Sequence, residues 1–407
     1  MIKNALTNLA LAAGSCALLY ASIEFAFFPM LLPYVPLKLQ PFLNTGIDVA
    51  AQSSKSSLVP RDYIAIVGDS YAKGAGDWFM DANPDRNEPC TSAHVIKDRT
   101  GVDTITYGWG GLGSLDGIAA RPYCVREAFN KVWRPGLARL AEPKIILVYF
   151  YEGNDLSNNI DKIREAYTGG GYDMGRIRDE AYFTGFIKEG IMVKDQFDMC
   201  RRALDPKLTD QLIFTSFLKM IIRKNVQAPK VAMEKKSRPA STSINQAISG
   251  GRTLTLPANL QSPDMELGEE EIGLAVYGFE RSLAFMMEYM KSARTVVVYV
   301  PSPLSSYNLV SRQVSIQKYG GSGGNVYDTE SVTARSDMIV NLIGQAAARQ
   351  GAGFVDTRGR IRAASDKEVI HGPRDWKHFN KKGYEALVDS FMPEVSKFLE
   401  TGGKKAN

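Results

Sequence analysis

The sequence predicts an α/β fold: a five-stranded parallel sheet with helices on both faces. Three observations lead there. Short apolar or β-rich runs alternate with helical patterns along most of the chain. Two of those runs, KIILVYFY (144–151) and TVVVYV (295–300), are almost continuously apolar, as strands covered on both faces must be. The small and polar residues with chemical potential stand just after the runs, where a parallel sheet gathers its loops.

The first element lies outside the sheet. From Ala5 to Ile23 the chain reads ALTNLALAAGSCALLYASI, 19 residues without a charge; Glu24 interrupts, and FAFFPMLLPYVPL continues the apolar character. About 20 apolar residues cross a bilayer as a helix, so residues 1–36 are expected to form an N-terminal transmembrane anchor. A cleaved signal peptide and a buried core helix are the alternatives. AGSC resembles a lipoprotein cleavage site only faintly, because Ala13 stands where Leu is usual and the apolar run continues past Cys16. Lys3, ahead of the span, favours an inside N-terminus and an outside remainder: a single-pass membrane protein, periplasmic if bacterial.

Residues 37–60 are polar and Ser-rich and end at Pro60, which reads as a linker. The domain is expected over 61–400, with a large insertion at about 156–265 and a tail at 401–407. Its strands are Tyr63–Val67, Thr104–Tyr107, Lys144–Tyr151, Thr295–Val300 and Gly353–Val355, and its helices fall near 89–100, 123–141, 265–292, 332–350 and 381–399. Within the insertion, QLIFTSFLKMII (211–222) is apolar and helical but too short to span a bilayer. It is expected to pack on the core with the basic stretch RKNVQAPKVAMEKKSR solvated after it; a membrane-leaning or substrate-covering cap is the alternative. PASTSINQAISGGRTLTLPANLQSPD (239–264) reads as a flexible loop.

Composition narrows the function classes. The 407 residues carry 49 basic and 44 acidic side chains, widely spread, so the net charge of +5 makes no basic face for nucleic acid. The three histidines, His94, His371 and His378, include no pair at helical zinc spacing, and no CxxC occurs, so neither a metal nor another cofactor is expected. Outside the cytoplasm the cysteines would meet an oxidising compartment. Cys90 and Cys124 flank the second strand and are a candidate pair that leaves Cys200 over; free buried thiols are the alternative.

The chemistry-bearing residues follow the strands in order. Strand one runs into Gly68-Asp69-Ser70, strand two into YGWGGLGS, and strand three into Glu152-Gly153-Asn154-Asp155; HGPRDWKHFNKKGY follows strand five and sets Asp375 three residues before His378. A serine, a glycine N–H, an asparagine amide and an Asp/His pair are the parts of nucleophilic acyl transfer. In this order they resemble the SGNH hydrolases, or GDSL-type esterases, over about residues 60–160 and 290–395. The resemblance implies a flavodoxin-like three-layer sandwich. It makes Ser70 the nucleophile, His378 the base and Asp375 its orienting partner, with an oxyanion hole from Ser70, Gly111 and Asn154. The chain departs from the family pattern at three points. Thr106 stands for an Asn, Glu152 for the glycine of GxND, and Gly108 and Gly110 offer other registers for the oxyanion glycine. Asp69 and Asp155 are expected to hold the turn and loop by hydrogen bonds, and His371 and His94 to be structural or supporting.

Two motifs are decoys. GWGGLG (108–113) matches the dinucleotide fingerprint, but no acidic residue ends a strand about 20 positions on. GGSGG (320–324) matches the GxSxG elbow without its strand-to-helix context and reads as flexible loop. The resemblance implies an esterase. With the N-terminal apolar run it gives the expectation of a membrane-anchored extracytoplasmic enzyme, and the location with the open, loop-built site typical of relatives points to an acyl, expected to be O-acetyl, group on a surface glycan. An O-acyltransferase using the same serine, served by a membrane-bound acyl donor, is one alternative. A non-catalytic glycan-binding or assembly protein is the other.

Overall fold

A computed structural model describes residues 2–35, 54–57, 59–80, 90–131, 138–192, 200, 205, 207, 209, 212–226, 243–317 and 324–402. Most of the expected linker, the GGSGG residues before Gly324 and residues 403–407 of the expected tail lie outside the described residues.

The strands are β1 (Tyr63–Val67), β2 (Asp103–Thr106), β3 (Ile145–Tyr151), β4 (Gln246–Ser249), β5 (Arg252–Thr255), β6 (Arg294–Val300), β7 (Asn308–Leu309), β8 (Gln313–Gln317), β9 (Gly324–Asp328) and β10 (Gly353–Asp356). Five of them form the central sheet in the order β10-β6-β3-β1-β2, every neighbouring pair parallel. Counted along the chain, that is the flavodoxin-like order 2-1-3-4-5, whose direction of winding reverses between β1 and β3.

The helices are α1 (Ile2–Ser22), α2 (Ser70–Lys73), α3 (Ser92–Thr100), α4 (Arg121–Lys131), α5 (Asp155–Gly170), α6 (Glu180–Gly185), α7 (Ile213–Val226), α8 (Glu269–Tyr289), α9 (Thr329–Arg349), α10 (Arg358–Ser365) and α11 (Lys381–Gly402). Successive strand residues point to opposite faces, and the core divides accordingly. Tyr63, Ala65, Val67, Ile146 and Val148 pack with Phe279 and Leu283 of α8 and Ile339 of α9. Ile64, Ile66, Leu147 and Tyr149 pack with Ile96 of α3 and Leu387 and Phe391 of α11. Three layers result.

The five core strands fall within one residue of their expected ends, because both-face burial leaves an uninterrupted apolar signal. The insertion departs from expectation. Residues 243–264, expected as flexible loop, hold the β4–β5 hairpin, with β4 also paired to β7. The reason is in SGG: Gly250 and Gly251 both take positive φ, 58° and 71°, as a tight two-residue hairpin turn requires. Ser54, placed in the expected linker, forms an antiparallel bridge to Thr104 on the β2 edge. The helices α5, α6 and α10 were also unexpected.

The disulfide joins Cys124 to Cys200, not to Cys90. Closeness in sequence misleads here because α3 and α4 cover opposite faces of the sheet. Cys90 precedes α3 on one face, whereas Cys124 on α4 faces the apolar cluster of Phe183, Phe186 and Ile187, where Cys200 also lies.

The N-terminal helix continues past α1 through one wide turn, Ile23–Phe27, so that Asn4–Leu31 is one helical run of 28 residues long and apolar enough to cross a membrane. Only 6% of its most apolar window is buried. Its far end differs: Phe28 and Leu32 enter the domain core, and Glu24 is fully buried.

Candidate active site

The β1 exit is built for close approach. Gly68 has φ 137°, and a Cβ there would meet the carbonyl oxygen of Tyr149 at 2.5 Å, so only glycine fits. Asp69 is the N-cap of α2 and accepts from the Tyr71 N–H at 2.8 Å. Ser70 is the first residue of that four-residue helix, which Gly74 ends in the left-handed conformation. The Thr106 hydroxyl donates to the Ala72 carbonyl at 2.6 Å and accepts from the Gly108 N–H at 3.1 Å. The residue standing for the family's Asn thus ties the glycine loop to α2.

Ser70 and His378, 308 positions apart, meet with Asp375 in one chain of hydrogen bonds. Ser70 Oγ lies 2.8 Å from His378 Nε2, and His378 Nδ1 lies 2.6 Å from Asp375 Oδ2. Burial pushes the Asp375 carboxyl up, but the hydrogen bond and charge of His378, with the Lys377 and His378 N–H groups, hold it below its ordinary value. The loop bearing the pair is pinned from two sides. Tyr71 donates to the Lys377 carbonyl at 2.6 Å, and Asp77 Oδ1 accepts from the Asp375 N–H at 2.5 Å and the Arg374 N–H at 3.1 Å. Sequence reasoning missed Asp77; an acidic residue seven positions after a strand-exit serine is too common to flag.

The glycine loop crosses above α2. A Cβ on Gly108 would lie 2.4–2.6 Å from Ala72 and Lys73 atoms, so the loop packs directly on the helix backbone. Trp109 is flanked by Lys73 Nζ, 3.6 Å from its ring centre, and the Arg121 guanidinium at 4.5 Å. Gly110 stands against Ser70: a Cβ there would be 3.8 Å from Ser70 Cβ. Gly111, expected in the oxyanion role, comes next with φ 76° and open space around its Cβ position.

At the β3 exit, Asn154 occupies the N-cap position of α5 but makes no cap hydrogen bond, and its side-chain oxygen is buried without a partner. The neighbouring residues do the holding. Asp155 Oδ2 accepts from the Tyr151 N–H at 3.1 Å. Glu152 is fully buried and accepts from Tyr299 Oη at 2.6 Å, from the Ser302 N–H and hydroxyl at 2.8 Å each, and from Ser336 Oγ at 2.7 Å. The carboxylate in place of the GxND glycine thus binds the β3 exit to the β6 exit and α9, a role with no sequence signal beyond the departure itself.

Burial pushes Asp69 up to about 6, against the Tyr71 N–H and the charge of His378. Burial and the charge of Asp69 hold Asp155 well above the usual carboxylate range. Both carboxyls do the turn and loop holding expected of them. His371 is buried against Tyr307 Oη, 3.2 Å from its Nδ1, and burial lowers it to about 3; it lies outside the Ser70 hydrogen-bond chain.

Beside Asn154 opens a cavity of about 280 Å³, lined mainly by polar residues that include Ser157, Gln261, Asp264, Gln317 and Lys377. Asp264 is held by the Ser157 N–H at 3.2 Å and the Ser157 hydroxyl, and burial pushes it up to about 7.

No family model matches the chain, and no curated protein matches it. Solved structures similar to it in outline include an extracellular lipase from Streptomyces rimosus, at 13% identity over 83% of this chain and 98% of that one, with a TM-score of 0.37. A phospholipase A1 from Streptomyces albidoflavus NA297 aligns at 12% identity over 83% and 99% of the two chains, with a TM-score of 0.32. A carbohydrate acetylesterase family member from Sinorhizobium meliloti aligns at 10% identity over 83% and 99%, with a TM-score of 0.32. Likeness at this level is too slight to carry an activity across, so the chemistry has to come from the residues themselves.

Proposed function

We propose that this chain is a membrane-anchored, extracytoplasmic serine esterase that removes an O-acyl group, of acetyl size, from a glycan. The observation that carries this reading is the hydrogen-bonded chain Ser70–His378–Asp375 at the exits of a parallel sheet. His378 Nε2 takes the Ser70 proton as Oγ attacks the ester carbon, and Asp375 orients the imidazole and stabilises its charged form. The tetrahedral oxyanion takes the N–H groups of Ser70 and the Gly110–Gly111 pair and the Asn154 amide; a donor of this kind is worth roughly 3 kcal/mol. His378 then returns the proton to the leaving alcohol. Water, deprotonated by the same imidazole, attacks the acyl-enzyme and releases the acid.

The polar cavity beside Asn154 supports a hydroxylated leaving group over a long acyl chain, since few apolar side chains line it. Two features support the location. Phe28 and Leu32 are core residues of the domain, so the end of the apolar helix is part of the fold and a retained anchor fits better than a cleaved leader. The Cys124–Cys200 disulfide suits an oxidising compartment.

The test is acetate release from an acetylated polysaccharide, and from a chromogenic acetyl ester, by the detergent-solubilised full chain. Ser70→Ala and His378→Ala are expected to lower kcat by roughly 10⁴-fold or more. Equal, slow release by wild type and both variants would sink the proposal. Acetyl groups appearing on an added sugar acceptor instead of in solution would replace hydrolysis with transfer through the same serine.

A further inference from the structure

Glu24 is a carboxylate inside an apolar helix, and its partners assign a role to a second element. Its two oxygens accept from the Phe214 and Thr215 N–H groups, at 2.9 Å each, and from Thr215 Oγ1 at 2.8 Å. These are the first backbone donors of α7, the orphan N–H groups that every helix start must satisfy. Tyr20 Oη lies 2.5 Å from Thr215 Oγ1, and Phe28 packs on Phe214 and Phe217 with ring centres 5.3 Å apart in each pair. The end of the N-terminal helix and the start of α7 are therefore one joined unit.

The height of that joint follows from helix geometry. Asn4–Ile23 carries no charge, and at about 1.5 Å per residue it rises about 30 Å, the thickness of a bilayer's hydrocarbon core. Glu24 and the α7 start then stand at the far interface, where a hydrogen-bonded carboxylate is tolerated. From there α7 turns a divided surface outward. Ile213 is buried in the domain core, while Leu218 and Ile222, four residues apart and so on one face, are 43% and 52% exposed. Around the joint, Phe27, Met30, Leu31 and Tyr34 are exposed as well. The sequence of the last turn of α7 and the residues after it, 223–238, holds six basic residues and one acidic, the composition that anionic headgroups attract.

We propose that α7 is a second membrane contact, lying in the headgroup region beside the exit of the anchor with Leu218 and Ile222 in the lipid. Its occupant is the bilayer surface itself, of anionic composition. The inference rests on the anchor reading above, and adds that the domain is seated on the membrane instead of hanging from a tether.

The test uses the full chain with Cys16→Ser and Cys90→Ser and with the Cys124–Cys200 disulfide kept. A single Leu218→Cys or Ile222→Cys carries an environment-sensitive nitrobenzoxadiazole label, and Glu270→Cys on the exposed start of α8 serves as control. Each is reconstituted in vesicles of phosphatidylcholine and phosphatidylglycerol, with thermal melting by circular dichroism to show that it folds. Labels at 218 and 222 are expected to emit blue-shifted light and to lose at least half their intensity to shallow spin-labelled lipids, while the label at 270 does neither. Water-like, unquenched emission at 218 and 222 from a chain that resists carbonate extraction overturns the seat alone. A chain that carbonate releases overturns the anchor and the seat together.

Discussion

Two strand exits feed the serine, and they treat their polar residues in opposite ways. At the β1 exit the N-cap residue caps: Asp69 takes the Tyr71 N–H, and the Ser70 hydroxyl lies 2.8 Å from His378 Nε2 and 3.3 Å from Asp69 Oδ2. At the β3 exit the N-cap residue does not cap: Asn154 makes no such bond, and Glu152 and Asp155 on either side hold the loop in its place. The difference teaches that position in a turn does not disclose a side chain's work. A polar residue is available for chemistry when its neighbours have taken over its structural duty.

The largest effect expected from breaking this contrast is at Glu152. Glu152→Ala leaves Tyr299, Ser302 and Ser336 facing a buried void without their acceptor. The loss should be about 3–5 kcal/mol of stability, read by chemical denaturation, with activity falling only as the folded fraction falls or the β3 exit shifts. A variant as stable as wild type would remove Glu152 from the holding role.

Asn154→Ala should separate the other way. With no cap hydrogen bond to lose, stability changes by less than about 0.5 kcal/mol, while kcat falls roughly 10²- to 10³-fold with KM little altered. A melting point lowered in proportion to activity would instead make Asn154 a structural cap.

Asp69 sharpens the comparison through pH. Its carboxyl is raised to about 6 in the fold against about 3.9 when unfolded. The folded state therefore holds the extra proton between those values, and stability falls as pH rises through that window, by about 2–3 kcal/mol in all. Asn caps as well as Asp, so Asp69→Asn should melt closer to wild type at pH 4 and gain on it by pH 7. An unchanging difference in melting temperature across that range would remove the burial cost. Asp69→Ala, which deletes the cap, should cost about 1 kcal/mol in comparison with Asp69→Asn.

The same contrast explains what the sequence disclosed. The five core strands and the Ser70, Asp375 and His378 cluster were legible because both carry redundant signals. Runs such as IILVYFY are apolar at every position, and the four polar motifs come in a fixed order at strand ends. Asp77 and Glu152 were not legible as loop anchors, since their partners, Asp375 and Ser302, lie 298 and 150 positions away. The β4–β5 hairpin was misread because polar residues on its exposed side masked the alternation, and SGG was taken as slack when it is a turn. The Cys124–Cys200 disulfide was not legible because only the folded sheet shows which helices share a face.

That disulfide has a topological consequence. Cys124 and Cys200 are 76 positions apart, and the ring they close contains β3, Glu152, Asn154 and all of α5 and α6. A protease cut anywhere within the ring leaves the two ends covalently attached, so the Asn154 loop stays tethered to the half of the chain that carries Ser70. A nicked molecule should run as one band on a non-reducing gel and as two after thiol treatment. It is a molecule that can be broken between Cys124 and Cys200 without coming apart.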